Sequence, residues 1–196
     1  TRIRHVTEGR LDGVVLAAAG VRRLGRIDEA TDVLDGSVML PAPGQGALAI
    51  ECRDAAVDLR ADDASLREAL RGLHDRATGL TVDCERAILS RAEAGCSAPI
   101  GALARLDGST LEVSGVLADD EGTLLRVTRA AQISADHDAA HDSAQTAATD
   151  LGAQVAEELL DGLGIDPRKA VGANAPDTHL TTTHHAAGGD EGAETR

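Results

Sequence analysis

The chain contains no Phe, Tyr or Trp. Aromatic rings bury the largest areas of any side chains, so the core has to be assembled from Leu, Val, Ile and Ala through many small contacts. No ring is available to stack on a base, which argues against nucleic-acid binding by stacking. Lysine is nearly absent as well: of 19 basic residues only Lys169 is a lysine, against 33 acidic ones, for a formal net charge of −14. A field of that sign repels phosphate backbones and anionic membrane surfaces. Acidic excess without lysine fits a halophilic-like protein kept soluble in high salt, where screening makes self-repulsion tolerable. No apolar run reaches the roughly 18 residues needed to cross a bilayer, and no signal peptide is recognisable. Neither nucleic acid nor a membrane is therefore expected as a partner.

Cysteines are few: Cys52, Cys84 and Cys96 are odd in number and form no CxxC spacing. That argues against a disulfide framework and a zinc site and points to a reducing cytoplasm. The sequence starts at Thr1 without an initiator Met, so it reads as a processed product or a fragment. Its 196 residues allow one compact domain or two small ones.

Along the chain, "LDGVVLAAAG" (11–20) has consecutive apolar residues and reads as a buried strand entering a Gly turn. "VRRLGR" then concentrates three arginines. "MLPAPGQGALAIECR" is a Pro- and Gly-rich loop followed by a second buried run, Ala47 to Cys52, as at a crossing between parts of a sheet or between domains. From Ser65 the period turns helical: Ser65 and Glu68 form a capping-box pattern, with Leu66, Leu70, Leu73 and Ala77 on one side. A second helix is expected from about Val82 to Ala94, stopped by Gly95 and Pro99. "IGALARL", "TLEVSGVL" and "GTLLRVTRAA" read as three strands joined by the short turns "DGS" and "ADDEG", hence an antiparallel meander. A long helix from Ser143 to Leu163 follows, with Ala147, Leu151, Val155 and Leu159 at a spacing of four. Together they make a compact α+β unit. After Asp166 the polar text reads as a disordered tail, whose His179, His184 and His185 are better taken as solvated than as a metal site.

Chemistry is sparsely signalled. Cys96, in "EAGCSAPIGALA" at a probable helix end, is reachable among small neighbours, yet a helix C-terminus raises rather than lowers a thiol pKa. On spacing alone a small buried apolar side chain is the leading reading, and more firmly so for Cys52 and Cys84. Arg2, Arg4, Arg22, Arg23, Arg53 and Arg86 are numerous for so acidic a chain. Planar guanidinium forks suit a polycarboxylate ligand, while salt adaptation accounts for them equally simply. Gln45 in "PAPGQG" could approach a ligand closely, or the loop is merely a turn. The acidic pairs Asp62/Asp63 and Asp119/Asp120 read as solvated.

Taken in order, "LDGVVLAAAGVRRLG", "LPAPGQGALAIECR", "CERAILSRAEAGCSAPIGALA" and "AEELL" resemble the porphobilinogen deaminases, over roughly residues 1 to 165. The resemblance implies an enzyme that joins four porphobilinogen units head to tail with release of ammonia, giving hydroxymethylbilane. It implies a dipyrromethane cofactor held as a thioether, by position on Cys96, with Arg2, Arg23 and Arg86 on the carboxylates of porphobilinogen and the growing pyrrole chain, and Gln45 and Gly20 near the cofactor. One departure is Ala94-Gly95-Cys96 where the family commonly has Gly-Gly-Cys.

The family's N-terminal domain and catalytic aspartate have no counterpart in the sequence, so no catalytic residue is assigned; either a partner polypeptide supplies the missing N-terminal portion or the chain is simply truncated. The fold expectation is mixed, α/β and α+β: a parallel-sheet remnant (1–42), a crossover loop and strand (43–64), a cofactor-carrying domain with a three-stranded antiparallel sheet covered by helices (65–166), and the tail (167–196). Alone, the chain is expected to be inactive. The rival reading is a non-catalytic α/β binding or interaction module derived from that fold.

Overall fold

The computed structural model describes residues 2–53, 61–92, 99–133 and 141–166. Its sheet is an antiparallel meander of β1 (Ile100–Asp107), β2 (Thr110–Ala118) and β3 (Leu124–Gln132). Asp107 pairs with Thr110, so the first turn is only Gly108 and Ser109. The second turn is tied by the Asp119 carboxylate, which accepts hydrogen bonds from the Glu121 and Thr123 amides at 2.9 and 2.7 Å. These backbone bonds to the charged form lower the Asp119 pKa. On β2 the residues alternate: Leu111, Val113, Gly115 and Leu117 are buried, the pattern of a sheet with one covered face. All three expected strands are present, with ends displaced by a residue or two.

The helices are α1 (Arg2–Thr7), α2 (Ala18–Arg23), α3 (Ala61–Arg71), α4 (Arg76–Arg91) and α5 (His141–Leu163), with a 3₁₀ turn at Ile27–Glu29. α5 runs two residues longer at its start than its spacing predicts and buries Ala144, Ala148, Leu151, Val155 and Leu159. It packs most extensively on α4, which contributes Leu80, Cys84, Ala87 and Ile88. Both helices cover the inner face of the sheet, and Ile88, Leu111, Val113, Val155 and Leu159 form the centre of the core. Burying each of these aliphatic side chains is worth about 1.5–3 kcal/mol. No helix among the described residues is long and apolar enough to cross a membrane.

Three local expectations need correction. Ser65 is inside α3 rather than at its cap, because the helix begins at Ala61, and Leu66 and Leu73 are exposed instead of forming a buried stripe. The chain breaks before α4, whose start at Arg76 is set by Asp75: its carboxylate accepts the Thr78 amide at 2.7 Å. That places the start six residues ahead of the expected Val82. Finally, 11–20 and 47–52 form no strand. Val15, Leu48 and Ile50 are exposed and α2 begins at Ala18. A buried parallel strand needs neighbours on both edges and cover on both faces, and β1–β3 form the sole sheet among the described residues. The stop of the second helix near Gly95, the pair Asp62/Asp63 (in side-chain terms) and the tail lie outside the described residues.

Candidate functional site

The loop of residues 36–47 lies along the outer edge of β1. An edge strand presents unpaired amides, and here two are taken: Ala102 donates to the Pro41 carbonyl at 2.9 Å, and Ala104 donates to Glu85 Oε1 at 2.8 Å. The other oxygen of Glu85 accepts the Gly44 amide at 2.7 Å. Glu85, on α4, is 6% exposed and the sole buried charged residue among those described. Its carboxylate therefore joins loop, helix and strand at one point. Gly44 has φ +74°, a conformation that side chains resist. A Cβ there would touch Val82 and Arg86, 3.8 and 3.9 Å away.

Around this junction the loop closes on itself. The Gln45 amide donates to the Ala42 carbonyl, and Gln45 Oε1 accepts from the Ala42 amide at 3.3 Å. The Gln45 side chain is exposed. Thus the loop carrying Gln45 sits against the stem of Arg86. Beside it, Val38–Leu40, Pro99–Gly101, Val116 and Arg126 line an open groove of about 420 Å³, and Arg126 donates to the Gly36 carbonyl at 2.9 Å.

The remaining sequence-predicted residues fall elsewhere. Gly20 and Arg23 share α2, and Arg2 opens α1; all three are exposed. Among the described elements α2 packs chiefly on the 3₁₀ turn, so these residues are not gathered onto the Glu85 junction. Cys96 lies outside the described residues, between Ala92, the buried end of α4, and Pro99.

Pairing sorts the arginines. Arg4 and Arg10 pair with Glu8, Arg26 with Glu29, Arg71 with Glu68, Arg91 with Glu157, and Arg129 with Glu158. Hydrogen bonding to Glu29 raises the Arg26 pKa, and the same contact lowers that of Glu29. Arg2, Arg23 and Arg86 have no acidic partner among the described residues. Exposed guanidinium groups without a salt bridge can present a planar fork to a carboxylate.

The two described thiols differ sharply. Cys52 is exposed. Cys84 is wholly buried against α5, and burial, reinforced by the neighbouring Glu85 charge, pushes its pKa up to about 12 although the Gly152 amide opposes the shift. It is an inert packing group.

Sequence reasoning missed Glu85. Its signal was a carboxylate three residues before the apolar Ile88, on a helix whose other inward positions are apolar, and nothing in the local spacing marks its partners.

Comparison with known proteins bears on most of the chain. Residues 1–61 match the family model "Porphobilinogen deaminase, dipyromethane cofactor binding domain", and residues 79–161 match "Porphobilinogen deaminase, C-terminal domain". Gly20, Arg23 and Gln45 fall in the first match, Arg86 and Cys96 in the second. Porphobilinogen deaminase 1 of Streptomyces coelicolor is 46% identical over 166 residues, covering 82% of this chain and 47% of the relative. The Cutibacterium acnes deaminase is 49% identical over 162 residues, 80% of this chain and 46% of its own length. That of Acidothermus cellulolyticus is 40% identical over 179 residues, 91% and 51%. The chain spans about half the length of the curated relatives it matches. With identity at this level over most of its length and both domain models matched in order, the chain belongs to the porphobilinogen deaminase family.

Proposed function

We propose that this chain is the cofactor-carrying portion of a hydroxymethylbilane synthase, the transferase that condenses four porphobilinogen units with release of ammonia. In this reading Cys96 holds dipyrromethane as a thioether, and the bound group supplies the primer onto which pyrroles are added. The observation that carries the reading is the division of the arginines. Among the described residues Arg2, Arg23 and Arg86, like Arg22 and Arg105, have no salt bridge, whereas six other arginines have glutamate partners, and the acetate and propionate arms of each pyrrole are the anions that Arg2, Arg23 and Arg86 would take. Gln45 and Gly20 line the path to the primer, and the reaction runs in a reducing cytoplasm that keeps Cys96 a free thiol before loading.

No residue of the chain is assigned to proton transfer at the reacting carbon. That role belongs to an N-terminal portion, on this or a separate polypeptide, docked against residues 1–53, where Val15, Leu48 and Ile50 present apolar surface. Residues 1–42 are then the end of the second domain, 43–64 the crossover and 65–166 the third domain. The test is intact-mass measurement after mixing the chain with an N-terminal half taken from a close relative and porphobilinogen. A covalent dipyrromethane adduct is expected on the chain and absent from Cys96→Ser. An adduct that survives Cys96→Ser, or none on the unaltered chain, sinks the proposal and favours a non-catalytic module of the same fold.

A further inference from the structure

A buried carboxylate is retained only where its lone pairs are satisfied. Glu85 meets that condition without any cation: its two oxygens accept the Gly44 amide at 2.7 Å and the Ala104 amide at 2.8 Å. The two donors come from segments that share no regular secondary structure. One belongs to the loop carrying Gln45, and the other to the outer edge of β1, the strand that opens after the Cys96 segment. Glu85 itself precedes Arg86 on α4, and the Arg86 stem lies against Gly44. Hydrogen bonds to a carboxylate are about twice as strong as neutral ones, and breaking one here leaves a buried donor or acceptor without its partner.

We propose that Glu85 is a positioning residue, a clamp that fixes the Gln45 loop against α4 and β1 so that Gln45 and Arg86 are held to the same ligand. The assignment rests on the function proposed above for the identity of that ligand, not for the clamp itself. Glu85→Gln keeps the shape but supplies one carbonyl oxygen for two amide donors and turns an NH₂ toward an N–H. The Glu85 clamp differs from a core group in being local. Its loss frees the loop before it unfolds the domain.

Amide hydrogen exchange on the full chain reads this directly. Glu85→Gln is expected to speed exchange at Gly44 by roughly tenfold, the scale of one lost charge-assisted bond, while Val155 and Leu159 in the core change far less. Gly44→Ala strains the same loop at its positive φ and leaves Glu85 in place; it gives the same local acceleration should Glu85→Gln lose the fold. Exchange at Gly44 that rises only in step with the core overturns the clamp. Primer loading in the reconstituted enzyme supplies the second readout. Glu85→Gln should slow loading in the otherwise unaltered chain and add little in a Gln45→Ala background, because the two act through one loop. Full additivity overturns the positioning role. An unaltered chain that loads no primer defeats the proposed function alone, and the exchange at Gly44 still decides the clamp.

Discussion

Replacing Gly152 with alanine sets two effects against each other. In an ordinary helix interior the change gains about 1 kcal/mol. Here Gly152 is where α5 meets α4 most closely: an added Cβ would lie 2.8 Å from the Ala87 Cβ and 3.0 Å from the Cys84 carbonyl carbon, and closer still to that carbonyl's oxygen. Carbon atoms pack best at about 3.5–4.0 Å, so the helices must part by roughly 1 Å, and the obstacle is backbone that no rotamer change can remove. Overpacking of this kind costs about 1–3 kcal/mol, more where the neighbour cannot yield. Taking the upper end against the propensity gain leaves a net loss of about 2 kcal/mol, which for a domain of ~100 residues is a fall in Tm of roughly 8–16 °C. Calorimetry or thermal circular dichroism measures it. Gly162→Ala is the control, because its new Cβ meets only the end of the flexible Leu125 side chain, and its loss should be clearly smaller. Adding Ala87→Gly to Gly152→Ala should restore little, since the Cys84 carbonyl remains. A Tm for Gly152→Ala equal to or above that of the unaltered chain refutes the close-packed crossing.

Two further outcomes follow from charge and capping. Cys84, held at about 12 in the fold against about 9 for a free thiol, adds stability that is complete below pH 9 and is lost as pH rises toward 12. The ceiling is about 4 kcal/mol, read as a steeper alkaline fall in urea stability for the unaltered chain than for Cys84→Ala; identical slopes would count against it. Asp75→Ala removes the cap of α4 and lowers Tm at neutral pH. The Thr78 bonds hold the Asp75 pKa below the ordinary carboxylate value, so the difference between the two proteins should shrink as pH falls through that range, and a pH-independent difference would contradict the cap.

The parts of the fold that sequence made legible are those encoded locally. "DGS" and "ADDEG" are too short to do anything but reverse a chain, so the strands around them had to pair as a meander. α5 was readable because Leu151, Val155 and Leu159 repeat over many turns. The α3–α4 break was not, because Leu73 and Ala77 continue an apparent stripe through Gly72 and mask the cap at Asp75. A residue that accepts its own third neighbour's amide starts a new helix there regardless of the pattern around it. The run 11–20 misled for another reason: consecutive apolar residues describe a strand only when other strands lie beside it. Of the candidate site, the loop around Gln45 and the arginines were visible as unusual residues in an acidic chain. Glu85 was not, because its partners lie 41 residues upstream and 19 downstream.

The absence of aromatic residues and the arrangement of the site have a common physical consequence. A core of Ala, Val, Leu and Ile gains its contacts by close approach, as at Gly152, and at Gly115, where an added Cβ would meet Val155 at 2.8 Å. Such a core leaves no room for a bulky polar group, so a buried charge has to be small, at the margin and fully bonded, as Glu85 is at the edge of β1. On the surface the screening length of about 8 Å at physiological salt confines each charge to its neighbours. The net charge of −14 is therefore compatible with the anion binding proposed at Arg2, Arg23 and Arg86. Glutamates adjoin the six paired arginines and cancel them locally, whereas Arg86 is flanked by a glutamate whose charge is turned inward and committed to two backbone amides. Burying the Glu85 carboxylate thus fixes the loop and commits its charge to two backbone amides rather than to its neighbour Arg86.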